Sequence, residues 1–425
     1  MSSNKFSADV MYTFAGQIVV IAVLFGMNKY LSIEFQPELY TIYNIAYKAA
    51  GPLAMGIVFC LGIAVPRYIA LYMAKGEKER SADLVQTAFF LMLFLMLVVI
   101  GAYFILPVNW GWLIFGTNAY DGLLWGIIVY GLGLALTTFM YSFYRGIEDY
   151  RKYNGSQIIV QLFILAIALG FSSDISSMMI IWGIGMSAFA IIGLERIYRQ
   201  EFNSSLLLVS SGKIRSLWEN LGELLRFCLP RVPGELVLFS FGVIPLIIIN
   251  DKLGTMATGG FVVALIINGA VMPLYGLTGT VLLPYVSRLL GESGSVASAS
   301  GKINKLLLVY IVSSLVIIAG VAFFADTILW ILFDSSYMVY AAQVQLLIIT
   351  VLPNSIYLLL RNPLDAASVV PYNTINLIVS FGILMGFLHF GTSYLEYITG
   401  FLLSYSYLGL SSWLCWLYCS RRIGR

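Results

Sequence analysis

Apolar residues arrive along this chain in runs of about twenty, the length that carries an α-helix across a hydrocarbon core. The runs predict about twelve spanning helices, at 10–31, 39–64, 84–106, 120–144, 156–172, 177–196, 226–250, 259–286, 304–324, 338–360, 373–390 and 396–417. The fifth and sixth are short and joined by "SSDISS", so they read as a helical hairpin. Composition agrees: 60% of the 425 residues are hydrophobic and 11% charged, against about 25% charged in soluble domains. The expected fold class is an all-α polytopic membrane protein. The first run, from about Tyr12 to Tyr30, is too long for a signal-peptide core and lacks an A-x-A cleavage site, so it is expected to remain as a helix.

Lys and Arg fall almost entirely on one side of these spans. That side holds Lys5, Arg67, Lys75, Lys78, Arg80, Arg145, Arg151, Lys152, Arg196, Arg199, Lys213 and Arg215. It also takes Arg226, Arg288, Lys302, Lys305, Arg361, Arg421, Arg422 and Arg425. The other side shows only Lys29 and Lys252, beside Glu34, Glu38, Asp121, Asp174, Asp251, Asp326, Asp334 and Glu396. The bias predicts cytoplasmic N- and C-termini. Every outer loop is short, so none could house an active site. The longest inner one, about 197–225, contains "KIRSLWENLGELL", which sets Ile214, Leu217, Leu221 and Leu224 on one helical face suited to the membrane interface.

The chain also repeats. "WLIF" at 112–115 matches "WILF" at 330–333, an offset of 218 residues, and "VPRYIAL" from Val65 matches "LPYVSRL" from Leu283 at the same offset. Arg145 and Asp149 match Arg361 and Asp365 at an offset of 216, each pair followed by Tyr-Asn (Tyr153-Asn154 and Tyr372-Asn373). About six helices per half keep both halves in one orientation, which predicts a parallel repeat about an axis along the membrane normal. The expected lobes are 1–208 and 209–425, with the interfacial helix opening the second. An architecture of this kind places a substrate pathway between its lobes and argues for a transporter.

Polar groups inside the spans single out candidate site residues. Counted inward from Arg226 at ~1.5 Å per residue, Arg231 lies roughly 7–8 Å deep and Glu235 roughly 13 Å. Lys48 is about nine residues from the outer end of its span, near the middle by the same count. A lipid-facing charge there costs roughly 2.5–3.5 kcal/mol, so all three are expected to face a cavity or one another. Snorkelling is an open alternative for Arg231, and a local i,i+4 pair with Arg231 is one for Glu235. Thr13 and Gln17 share a face that reaches Asn28; Asn44 lies one turn from Lys48; Asn268 and Tyr275 share a face. Together these residues describe a cationic cavity suited to phosphates or acidic sugars. Pro230, Pro233 and Pro245 supply bends, and Glu235 is the candidate for coupling an H+ or Na+ gradient to movement.

Other features carry no chemistry. Cys60, Cys228, Cys415 and Cys419 have no metal or redox spacing. His389 stands alone, which excludes a histidine cluster. "SASGK" at 298–302 has Val296 where a phosphate loop needs its first glycine and Ile303 where it needs Ser or Thr. No cofactor or nucleic acid is expected.

The block from "LRFCLPRVPGELVLF" through "GTVLLPYVSRLLGE", with "YLLLRNPLDAASVVPYNTINL" at 357–377, resembles the polysaccharide transporters of the multidrug/oligosaccharidyl-lipid/polysaccharide (MOP) exporter superfamily. The resemblance covers essentially the whole chain and is nearest the O-antigen flippase (Wzx-type) branch. It implies two six-helix lobes around a V-shaped cavity in the bacterial inner membrane. It further implies flipping of an undecaprenyl-diphosphate-linked oligosaccharide from the cytoplasmic to the periplasmic leaflet, in concert with an O-antigen polymerase and a chain-length regulator. Lys48 and Arg231 would attract the diphosphate or acidic sugars, the prenyl tail would stay in lipid between the lobes, and Arg361 and Asp365 would sit in a gating loop. About twelve helices rather than fourteen sets the chain apart from the lipid II flippases. A cation or drug antiporter and an O-antigen polymerase-type membrane enzyme are the alternatives.

Overall fold

The structure, a computed structural model, describes residues 3–35, 37–115, 118–171, 174–208, 214–293, 296–332 and 335–422. Fifteen α-helices and short 3-10 turns make up these residues, with no strand among them. Seven helices are long and apolar enough to cross a membrane, or nine if each of two bent pairs is one span. The remaining expected spans, at 10–31, 259–286 and 396–417, also lie on helices. The last is rich in Ser, Tyr and Gly, which dilutes its hydropathy.

The chain divides into two compact units, Met1–Cys228 and Leu229–Arg425. Unit 1 contains α1 (Ser3–Glu34), α2 (Pro37–Val58), α3 (Leu61–Ala74), α4 (Lys78–Ile105), α5 (Trp110–Phe115), α6 (Leu124–Gly146), α7 (Tyr150–Phe171), α8 (Ile175–Phe202) and α9 (Ile214–Cys228). Its core gathers Met27, Leu31, Tyr43, Tyr130, Ile164 and Trp182 from α1, α2, α6, α7 and α8. Glycine lets α6 and α8 close up: a Cβ on Gly183 would sit 2.2 Å from the Val129 carbonyl oxygen. Small residues of this kind permit close helix approach in the absence of a hydrophobic drive between helices in lipid.

Unit 2 contains α10 (Val232–Ser293), α11 (Ala297–Leu332), α12 (Ala341–Leu347), α13 (Val351–Ala367), α14 (Tyr372–Phe390) and α15 (Tyr394–Arg422). α10 folds back on itself. Glu235 is bonded to Arg361, while Gly279 abuts Asn362, the next residue of α13. The 44 positions from 235 to 279 would span ~66 Å as a straight helix. The reversal falls between Lys252, whose Nζ donates to the carbonyls of Leu388 and His389 at 2.9 and 2.6 Å, and Phe261, whose ring meets Tyr394 at 4.7 Å. α10 therefore supplies two of the expected spans.

Helix packing follows the repeat. α6 packs on α8 as α13 does on α15, α1 on α7 as α10 on α14, and α2 on α6 as α10 on α13. The gap between α4 and α5, which begins at Leu106, recurs 218 residues later as a non-helical Phe324 inside α11. Gly16 lies against Asn154 just as Gly234, again 218 residues on, lies against Thr374.

Three expectations change. The expected boundary at 208/209 falls one helix before the structural one, because α9 packs on α3 and α4. Glu223 accepts from the Tyr72 hydroxyl at 2.5 Å and pairs with Arg80 at 3.2 Å, and the Arg67 guanidinium lies 4.9 Å from the Phe227 ring centroid. Leu224 is thereby fully buried, Leu217 and Leu221 are half-buried and Trp218 remains exposed, so the C-terminal part of the apolar face of α9 packs on protein. Finally, the helix expected at 39–64 breaks after Val58. Phe59 and Cys60 adopt φ of 45° and 62°, and the chain bends by 43° into α3. Left-handed backbone is costly for non-glycine residues, and no Gly or Pro at 59–60 announces it.

Candidate functional site

Residues expected to act separately form one charged network in unit 2. Arg231 and Glu235 are spaced i,i+4, and so are Arg361 and Asp365 on α13. Within one helix each would pair with its own neighbour. The two segments instead run antiparallel and exchange partners. Arg231 Nε donates to Asp365 Oδ1 at 2.9 Å, and Arg361 donates to Glu235 Oε1. Arg231 also donates to the backbone oxygens of Val369 (3.1 Å) and Ser368 (3.0 Å), just past the C-terminus of α13, where the helix dipole favours a cation. The Arg231 and Asp365 side chains are 3% and 4% exposed, whereas those of Arg361 and Glu235 are 20% and 25% exposed. The snorkelling and open-cavity readings of Arg231 therefore give way to a buried ion pair, and the local pair expected for Glu235 gives way to one across helices. Tyr357, one turn before Arg361, is fully buried, and its hydroxyl has no partner among the described residues. The i,i+4,i+8 spacing of Tyr357, Arg361 and Asp365 was available as a sequence signal.

Asn268 and Tyr275 share a face, as expected, but that face packs on helices. Asn268 Nδ2 donates to Thr350 Oγ1 at 3.0 Å and to the Leu347 carbonyl at 3.2 Å. Tyr275 is buried and accepts from Ser314 Oγ at 3.0 Å, and Ser314 reaches Ser355 at 2.9 Å. Both residues tie α10 to its neighbours inside unit 2.

The unit 1 positions equivalent to Arg231 and Glu235 are neutral. At the 218-residue offset, Thr13 stands for Arg231 and Gln17 for Glu235. Asn154 Nδ2 donates to Thr13 Oγ1 at 3.3 Å, and Gln17 bonds to Gln157. Arg145 lies in the last turn of α6, but Asp149 falls beyond the end of that helix, whereas Asp365 lies within α13, and Asp149 pairs with neighbouring Lys152 at 3.0 Å. One unit joins its helices by amides and the other by charge.

Lys48 is different from all of these. It is exposed on α2, opposite the buried stripe of Tyr43, Ala46, Ala50 and Ala54, and makes no hydrogen bond or ion pair with any described residue. The preceding Tyr47 stacks on Tyr130 with ring centroids 5.6 Å apart. Since Tyr130 lies nine residues into the apolar span Asp121–Gly146, Lys48 beside it sits ~13 Å from the start of that span. A depth of that size falls within a hydrocarbon core of about 30 Å. The side chains of Asn44 and Asn28 lie outside the described residues. No group of three or more His, Cys, Asp or Glu among the described residues could hold a metal ion.

No family model and no curated protein matches the chain. Solved structures do. A MATE transporter in its straight conformation superposes with a TM-score of 0.78 at 13% identity, covering 99% of this chain and 95% of its own. The Vibrio cholerae MATE transporter VcmN in its bent form gives 0.76 at 14% identity, covering 99% of each chain. A MOP superfamily transporter from Pyrococcus furiosus, described as having a binding pocket of reversed polarity, gives 0.74 at 13% identity, with 99% and 94% covered. Over nearly its whole length the chain has the fold of the MATE transporters of the MOP superfamily.

Proposed function

We propose that the chain is a transporter that moves a lipid-linked anion, an undecaprenyl-diphosphate-linked oligosaccharide, between leaflets of the inner membrane. The fold supports transport. The observation that favours an anionic cargo is the state of the intramembrane charges. Glu235 and Asp365 are each taken up by an arginine, while Lys48 is exposed and unpaired among the described residues. The five groups sum to one positive charge, and the uncommitted one is the ammonium. A pump for cationic drugs would present a carboxylate instead.

Glu235 is the coupling group of this proposal. Its pair with Arg361 is the more exposed of the two, so protonation or a bound Na+ would release Arg361 while the buried pair keeps the helices joined. A drug antiporter is the second reading, favoured by the likeness to the outward-facing multidrug resistance MATE structure (TM-score 0.77, 11% identity). A strain lacking the protein separates the two. Loss of surface O-chain, with the lipid-linked precursor held on the cytoplasmic face by leaflet-specific labelling, is the expected result. An unchanged lipopolysaccharide profile with altered drug susceptibility would select the antiporter. Single O-units reaching lipopolysaccharide without polymerisation would point to a polymerase.

A further inference from the structure

Unit 1 contains an apolar crevice that begins one helical turn along α2 from Lys48. It occupies about 270 Å³ between α2, α4, α5 and α6, and its lining includes Pro52, Gly56, Ala102, Tyr103, Trp110 and Ile127. The indole N–H of Trp110 is already bonded to the Tyr103 carbonyl at 3.3 Å, so the wall offers hydrocarbon. A cavity of roughly 150 Å³ lined by aliphatic side chains accepts benzene, so this volume suits about ten carbon atoms. Gly56 keeps it open: a Cβ built there meets nothing within 4 Å. Glycine inside a helix costs about 0.5–1 kcal/mol relative to alanine, and here no close helix contact requires it.

The crevice and the lysine are joined through Pro52. That residue lines the crevice and follows Lys48 by one turn, ~6 Å along α2. A cation therefore stands one helical turn from a hydrocarbon slot. We infer that this crevice holds the isoprenoid chain next to the diphosphate of the translocated lipid while Lys48 pairs with the diphosphate. The inference rests on the function proposed above and replaces a tail left loose in lipid with one seated in unit 1. Depth selects this occupant over a resident phospholipid. The phosphate of a resident lipid lies outside the hydrocarbon core, whereas Lys48 lies ~13 Å along its apolar span, where an anion being carried across passes.

The test is binding of radiolabelled geranylgeranyl diphosphate to the purified full chain, with phosphatidylglycerol as competitor. Gly56→Leu fills the slot without a backbone clash, and Gly56→Ala is the mild variant; a melting curve checks that each folds. The expected result is a loss of at least tenfold in affinity for Gly56→Leu and for Lys48→Gln, and less than threefold for Gly56→Ala. Inorganic diphosphate alone should compete at least a hundredfold less well than the prenyl compound. Unchanged binding in a folded Gly56→Leu variant would overturn the slot, and mole-for-mole competition by phosphatidylglycerol would assign it to bulk lipid. Translocation of a lipid-linked oligosaccharide in proteoliposomes is measured separately. If the wild type translocates and Gly56→Leu does so equally, the slot fails and the transport reading stands. If the wild type does not translocate yet binds the prenyl diphosphate through Gly56 and Lys48, the transport reading fails and the slot stands.

Discussion

Removing the Asp365 carboxylate should expose how much unit 2 depends on its charged network. Asp365→Ala leaves the Arg231 guanidinium, whose side chain is 3% exposed, without its counter-ion. Breaking one side of a buried pair costs about 3–5 kcal/mol, chiefly because the remaining charge is uncompensated. A domain of about 200 residues shifts its midpoint by about 2–4 °C per kcal/mol, so the expected fall is about 6–20 °C. Arg231→Met with Asp365→Leu removes both charges and should recover much of the loss, since apolar replacements of buried pairs are often neutral. Recovery stays incomplete because the carbonyls of Ser368 and Val369 lose a donor. Midpoints of the wild type, Arg231→Met, Asp365→Leu and the double variant, read by fluorescence-detected size exclusion after heating, give the coupling directly. A fall below about 2 °C for Asp365→Ala, or strictly additive losses in the double variant, would refute the buried-pair account.

Glu235→Gln keeps a hydrogen-bonding oxygen for Arg361 but removes the titrating group; it should leave folding intact and abolish dependence of transport on a proton or Na+ gradient, checked by imposed gradients in vesicles. Lys48→Ala should abolish complementation of a deletion strain at normal expression, while Lys48→Arg retains part of it. Gly183→Ala should destabilise by about 1–3 kcal/mol through overpacking, since its Cβ would fall 2.2 Å from a backbone oxygen, whereas Gly56→Ala should stabilise by about 0.5–1 kcal/mol; paired melting curves check the contrast. Lys252→Met should loosen the end of α14 by about 1 kcal/mol, because three carbonyls lose their cation, with hydrogen exchange near Gly391 as the readout.

Hydrophobic run length is a local property, and so every expected span falls on helical segments, although 39–64, 226–250 and 338–360 are each divided between two helices. The repeat was legible for the same reason, since "WLIF", "VPRYIAL" and "RGIED" have counterparts at nearly one offset. Pairing is not local. Arg231 and Asp365 are 134 residues apart, and Glu235 and Arg361 are 126 apart. The i,i+4 spacing therefore offered a local pair for Arg231 and Glu235 and the repeat singled out Arg361 and Asp365, but neither signal named the partners. The docking of α9 through Tyr72 and Glu223, 151 residues apart, was hidden for the same reason. The break at Phe59–Cys60 was hidden because its backbone is set by packing without a glycine or proline to mark it. Lys48 could be singled out from sequence, since a lone lysine within an apolar span has few inexpensive explanations.

The central claim is that an anionic lipid-linked sugar crosses the membrane through a site organised around Lys48. The most direct measurement is translocation of a fluorescent undecaprenyl-diphosphate-linked oligosaccharide by the purified protein in proteoliposomes, scored by chemical quenching of the label in the outer leaflet. The account predicts transfer by the wild type, part of it by Lys48→Arg and none by Lys48→Ala. Absence of transfer by the wild type, together with gradient-driven uptake of an organic cation such as ethidium, would contradict it.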